Sequence, residues 1–227
     1  MLDPRRAGRS TLALSDHRSV TGSGSQTHIQ HQHTSGMVLS KKVRVSPGGI
    51  HGYCWFAAED ISAGELIWWQ GDQTYNDIDV PTAELNTWPA DKREKWLSLA
   101  YMVGPDTYRG SDPDKEIPQE EMNEYYVNHS CGGNCWYNGE TELLAMTDIP
   151  AGAEICYDYA LTECEPQWLL ADRCLCGSPQ CRQKVTGNDW QRSDLQKKYG
   201  RHFTTHIMKL IDAEKSKTDQ HQPNQPQ

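Results

Sequence analysis

The chain has no run of about 18 apolar residues, so no membrane-spanning helix is expected and no membrane partner. Its N-terminus lacks the apolar core of a secretory signal. Met1 to Gly22 carries several Arg and Ser residues, as transit peptides do, but Asp3 and Asp16 argue against an organellar address. An intracellular place, nucleus or cytoplasm, is the expectation. Positive charge is in deficit: 22 Lys and Arg face 31 Asp and Glu, for a net charge of -9. A phosphate-binding protein needs a basic face, so direct nucleic-acid binding is not expected. A partner that is itself basic suits this field better. Without a secretory signal, the eight cysteines (54, 131, 135, 156, 164, 174, 176 and 181) read as metal ligands rather than disulfides.

The 227 residues suggest one domain with tails. Residues 1–38 are rich in Ser, Gly, His and Gln without periodicity and read as a disordered tail. His28, His31 and His33 fall within it, as solvated residues rather than a metal site. Residues 213–227 read as a second tail. Between them the pattern is mainly β. Strands are expected at Lys41 to Ser46, Gly52 to Ala58, Glu65 to Trp69, Glu142 to Met146 and Glu154 to Tyr159. Turns at Pro47-Gly48-Gly49, Ser62-Ala63-Gly64 and Ile149-Pro150-Ala151-Gly152 separate them. Trp96, Leu99, Ala100 and Val103 stand at helical spacing, which predicts a helix over Asp91 to Val103, stopped by Gly104-Pro105. A second helix is expected over Asp189 to Tyr199. Residues 105–124, with Pro113 and Pro118, read as a long loop. No internal repeat is evident.

Cys174-Leu175-Cys176-Gly177 followed by Cys181 is the strongest local signal. Two thiolates two residues apart can grip one tetrahedral metal from a tight turn, and Cys181 returns a third ligand. A structural zinc site wants four sulfur or nitrogen ligands. Cys131 is the best candidate for the fourth, with Cys135 and Cys164 as alternatives.

Three further segments precede that cluster: Gly52-Tyr53-Cys54-Trp55, then Asn128-His129-Ser130-Cys131, then Tyr157-Asp158-Tyr159. The ordered set resembles the SET-domain family of protein-lysine methyltransferases, including its post-SET zinc cluster. The resemblance spans about Val43 to Gly187. It implies a mainly β fold with a few helices (α+β), several small sheets around a pseudoknot, and a zinc-bound C-terminal segment. It implies a SET domain over 39–160, a post-SET segment over 161–187 and a C-terminal helical extension over 188–212. Carried over by position, Gly52, Tyr53, Cys54, Trp55, Asn128 and His129 would bind S-adenosylmethionine. Tyr159 would be catalytic, Tyr157 and Tyr126 would line the substrate-lysine channel, and Cys131, Cys174, Cys176 and Cys181 would hold zinc. Cys54 stands where the family has a second glycine, Gly133 where it usually has proline, and Tyr125-Tyr126 where it often has Arg-Phe.

The residue types suit methyl transfer. Oxygen atoms around an electron-poor sulfonium methyl can hold it in line with an attacking amine. The lysine must first lose a proton, which at pH 7 costs roughly 4.6 kcal/mol from a reference pKa near 10.4. A dry channel and the sulfonium charge both favour the neutral amine. Tyrosine at position 157 implies mono- or dimethylation of a basic protein segment, a histone tail being one. Asp112, Asp114, Glu116, Glu120, Glu121 and Glu124 lead into the core motif and would attract such a segment, although a charge run is also what a solvated loop carries. Two other readings compete: a non-catalytic protein-binding module that keeps fold and zinc, and a zinc-finger-like nucleic-acid binder, which the acidic balance disfavours.

Overall fold

The computed structural model describes residues 38–48, 52–71, 77–170 and 173–220. His28, His31 and His33 lie outside them. In chain order the strands are β1 (Val38–Leu39), β2 (Val43–Pro47), β3 (Tyr53–Ala57), β4 (Leu66–Trp69), β5 (Asp77–Pro81), β6 (Tyr101–Gly104), β7 (Thr107–Ser111), β8 (Asn128–His129), β9 (Cys135–Asn138), β10 (Glu142–Ala145) and β11 (Glu154–Tyr157). The α-helices are α1 (Thr82–Leu85), α2 (Ala90–Leu97), α3 (Gln119–Glu124), α4 (Ser193–Tyr199) and α5 (Thr205–Gln220). Short 3-10 turns follow Asp158 and Asn188.

Strands β1-β4-β10-β9-β11-β3-β2 form one connected path, and β5-β7-β6 form a separate three-stranded sheet. The five expected strands are all present, each trimmed by a residue or two. β3 is covered on both faces: Cys54, Trp55 and Ala57 are buried and Phe56 is half-buried, while Tyr53 at its start is exposed. Ile67, Leu143, Ala145, Ile155 and Leu161 fill the core between the strands.

The central feature is a parallel pairing between segments far apart in sequence. β8 lies beside β11, with Asn128 opposite Cys156 and His129 opposite Tyr157. Cys135 of β9 also pairs with Tyr157. The chain crosses itself closely here. A Cβ added to Gly133 would stand 2.7 Å from the Tyr157 Cα and 3.0 Å from the Asp158 nitrogen. In this geometry a Cβ there would force the Tyr157 backbone to shift.

Three expectations need correction. The helix predicted over Asp91 to Val103 stops at Leu97, and residues 101–104 form β6. The buried Trp96 indole donates to the Ser111 carbonyl at 2.7 Å, and the following residues turn into a hairpin with β7. Strand pairing there outweighs a helical spacing of apolar residues. The segment 105–124 is not a continuous loop: β7 is the central strand of the small sheet, and α3 follows Pro118. Third, α5 runs on to Gln220, so 213–220 belongs to a helix. Its anchor is the buried set Ile207, Met208 and Ile211, and Ala213, Glu214, Lys215 and Lys217 are good helix formers that extend it. At the other end, Val38 is already in β1. Among the described residues no helix is long and apolar enough to cross a membrane.

Candidate functional site

The crossing of β8 and β11 fixes two faces. On one, the Asn128 side-chain amide donates to the Tyr53 carbonyl at 3.0 Å and to the Cys54 sulfur at 3.2 Å. The Cys54 thiol in turn donates to the Gly48 carbonyl at 3.1 Å. Burial, then the nearby Glu154 carboxylate, push this thiol up to about 12, so it stays protonated. Gly52 takes φ of 85°, a left-handed conformation suited to glycine. The structure gathers Gly52, Tyr53, Cys54 and Asn128, while His129, expected with them, is buried and turns its ring to the Tyr159 amide and Cys131 instead, because neighbouring strand residues face opposite ways. Trp55 differs: its ring is buried, donates to the Asn123 carbonyl at 2.7 Å and forms wall for the opposite face.

That opposite face is a cavity of about 250 Å³. Tyr157 and Tyr159 line it, together with Tyr125, Tyr137, Trp168 and Glu124. The Tyr159 hydroxyl donates to the Val127 carbonyl at 3.0 Å, which fixes its direction. The Tyr157 hydroxyl is 3.5 Å from the Thr162 hydroxyl. Rings 137 and 157 meet edge-on at 5.4 Å, and 157 and 159 at 5.1 Å. Burial holds the Tyr157 phenol well above its ordinary range, so it is neutral.

Tyr126, expected in the channel, lies elsewhere: it stacks on Tyr53 at 5.0 Å, and its neighbour Tyr125 lines the cavity instead. Both follow the last turn of α3, where successive residues point about 100° apart. One ring turns to each face.

Behind the crossing lies the cysteine cluster. Ligand atoms of His129, Cys131, Cys174 and Cys176 all fall within 4.8 Å of one another, and all but Cys176 are buried. Tetrahedral zinc with bonds of about 2.3 Å holds sulfurs roughly 3.8 Å apart, so little contraction is needed. Burial raises Cys131 to about 11 and raises Cys174 further. At Cys176 burial is overcome by donors, the Ser178 backbone N–H first, and the thiol falls to about 7. Such soft, convergent, partly ionised donors fit zinc. His129 has a different part. Its Nδ1 accepts the Tyr159 backbone N–H at 3.1 Å, so a neutral ring carries its proton on Nε2. Nε2 then donates to the Cys131 sulfur at 3.3 Å. A protonated nitrogen has no lone pair for a metal, so His129 orients Cys131. Cys181 stands just outside the tight group, its sulfur 3.7 Å from the Cys174 carbonyl.

A polar network joins cluster, tyrosines and C-terminal helices. Asp158, fully buried between Tyr157 and Tyr159, accepts two hydrogen bonds from the Arg182 guanidinium at 2.5 and 2.7 Å. It also caps Ala160 and accepts the Tyr199 hydroxyl at 3.1 Å. Burial alone would raise its carboxyl, but Arg182 outweighs this and holds it below the ordinary range. Arg182 also reaches Asp189 at 2.8 Å, and Lys198 donates to the Cys131 carbonyl at 3.1 Å and to Tyr199 at 2.7 Å. The sequence reading missed Asp158, Arg182, Lys198 and Tyr199. Only the Asp inside Tyr-Asp-Tyr and the Arg directly after Cys181 gave any signal.

Crossed segments, an aromatic-walled cavity and a cysteine cluster behind it define a SET-type protein. Residues 52–160 match the SET domain family. Over 167 residues it is 32% identical to histone-lysine N-methyltransferase ATX2 of Arabidopsis thaliana, covering 69% of this chain and 14% of that protein. It is 29% identical over 153 residues to an H3 lysine-4 specific histone-lysine N-methyltransferase of Aspergillus oryzae, covering 63% and 11%. Over 102 residues it is 34% identical to the H3 lysine-9 specific SUVH3 of Arabidopsis thaliana, covering 31% and 15%. The chain thus spans a small part of the length of these relatives.

Proposed function

We propose that this chain transfers methyl groups from S-adenosylmethionine to lysine side chains of a protein, adding one or two. S-adenosylmethionine would supply an electrophilic sulfonium methyl, and the face formed by Gly52, Tyr53, Cys54 and Asn128 is where it would bind. The observation that carries the reading is the β8–β11 pairing, which sets Asn128, bonded to the Tyr53 carbonyl and Cys54, close to Tyr157 and Tyr159 on the cavity wall. The lysine would enter past aromatic walls that exclude water and favour its neutral amine. Tyr159, its hydroxyl proton given to the Val127 carbonyl, presents oxygen lone pairs to the reacting centre as an orienting group. Tyr157 keeps its hydroxyl beside Thr162, where a retained water would oppose rotation of a bulkier amine. Cys131, Cys174, Cys176 and Cys181 would hold structural zinc, Cys181 closing the fourth position that the protonated His129 nitrogen leaves open.

The substrate is a basic lysine-containing segment, a histone tail among the options, in the nucleus or cytoplasm. The relatives are named for specificity towards H3 lysine 4 and H3 lysine 9. Incubation with labelled donor and fractionated proteins, followed by peptide mapping with Tyr159→Phe as control, tests the proposal. Mainly trimethyl-lysine as product would overturn the stated degree. A second reading is favoured by Cys54, whose side chain occupies space in the donor motif: a non-catalytic binding module. Calorimetric titration with S-adenosylmethionine separates the two, since binding supports the enzyme.

A further inference from the structure

The cavity holds carboxylates but no basic side chain. Glu124 and Glu163 both line it, among aromatic and aliphatic groups. A carboxylate in an apolar, aromatic-walled pocket is costly unless it meets a cation or a proton. Glu124 accepts the Trp68 indole N–H on Oε2 at 2.7 Å, and among the described residues no donor meets Oε1. It sits at the C-terminal end of α3, where helix carbonyls add negative potential. Other acidic groups stand behind it. Glu121 is fully buried and hydrogen-bonded to the Ser111 hydroxyl, and Asp77 accepts the Tyr125 hydroxyl at 3.0 Å. Arg109 of β7 is paired with Asp79 at 2.6 Å.

We propose that Glu124 is the group that receives the substrate ammonium inside the cavity and takes its proton, a role that rests on the lysine-methylation reading above. The step balances simply. One Nζ–H bond of the ammonium breaks and one O–H bond forms on Glu124. The electron pair stays on nitrogen as the lone pair that attacks the methyl carbon, and the proton later leaves to solvent. Burial first, against the Trp68 bond and with the Glu121 and Asp77 charges adding to it, raises the Glu124 carboxyl to about 7. That value narrows the gap to a lysine of reference pKa about 10.4. It also keeps the carboxylate ionised enough at neutral pH to act.

The test is the pH dependence of kcat/KM for a lysine peptide, wild type against Glu124→Gln. The amide oxygen of glutamine can still accept the Trp68 N–H, so the wall is kept. With a carboxylate acceptor the wild type uses the abundant ammonium, so its profile is flat between about pH 7 and 9. The variant depends on free amine, so its kcat/KM rises about tenfold per pH unit and lies at least about tenfold below wild type at pH 7.5. Parallel profiles for the two proteins overturn the proposal, and so does a change in Glu163→Gln without one in Glu124→Gln. A second readout does not need methyl transfer: n-butylammonium, titrated calorimetrically at pH 8, should bind wild type at least about fivefold more tightly than Glu124→Gln. Equal affinities sink the role of Glu124. Tighter wild-type binding in a protein that methylates nothing would keep the ammonium site and discard the enzymatic reading instead.

Discussion

Arg182→Met is the substitution that best probes how the site is held together. It removes both guanidinium bonds to Asp158 and the bond to Asp189, while keeping an apolar stem of similar length. Asp158 is fully buried and cannot turn to water. It keeps only the Tyr199 hydroxyl and the Ala160 N–H. Breaking a buried pair from one side costs about 3–5 kcal/mol, because the remaining charge is left uncompensated. Total stability for a domain is about 5–15 kcal/mol, so the loss is a large fraction of it. Urea unfolding with zinc content measured in parallel gives the number. Tyr199→Phe removes the hydroxyl's bond to the charged Asp158 and the one it accepts from Lys198, and should cost at least about 1.5–3 kcal/mol by itself. Both variants act on Asp158, so their effects should couple by about 0.5–3 kcal/mol in a double-mutant cycle. A cost below about 1 kcal/mol for Arg182→Met, with zinc retained, would refute the assignment of Arg182 as the counter-charge of Asp158.

The other expectations are more direct. Cys131→Ser should lower zinc retention and methyl transfer together, because its segment carries a proposed zinc ligand and Asn128 of the proposed donor face; loss of one alone breaks that link. Tyr159→Phe removes the bond to the Val127 carbonyl, and misplacing the reacting groups by about 1 Å costs on the order of 100-fold in rate, with donor affinity by calorimetry little changed. Glu124 and Asp158 should act on stability in opposite directions with pH. Glu124, raised in the fold to about 7, binds its proton more tightly when folded, so its contribution improves as pH falls from above 7 towards the unfolded value near 4.5. In urea titrations Glu124→Gln should therefore gain stability over wild type at pH 8 and lose that gain by pH 5. Asp158 is depressed in the fold, so its stabilisation is complete above its unfolded value near 3.8 and is lost as pH falls below it. Acid unfolding of wild type should be steeper below pH 4 than that of Asp158→Asn; equal slopes would count against the network.

What the sequence by itself determined was the local chemistry. Short apolar runs bounded by turns marked β3, β4, β10 and β11, and Gly64 and Gly152 marked turns by positive φ, because residue type and glycine's conformational freedom are local properties. The Cys-Leu-Cys-Gly run marked a candidate metal site for the same reason. Four short motifs in order pointed to the SET domain family and nominated Asn128, His129, Tyr157 and Tyr159 as site residues. Tertiary structure decided what depends on segments meeting from afar. It turned residues 101–104 from helix to strand by pairing them with β7. It sent Tyr125 into the cavity and Tyr126 onto Tyr53, a choice set by one step around a helical turn. It gave His129 a hydrogen-bonding duty towards Cys131 through the Tyr159 amide. It also brought Arg182, Lys198 and Tyr199 to Asp158 across 24 to 41 residues of chain. Nothing in the spacing of those residues predicts the meeting, because a buried charge finds its partner through the packing that excludes water.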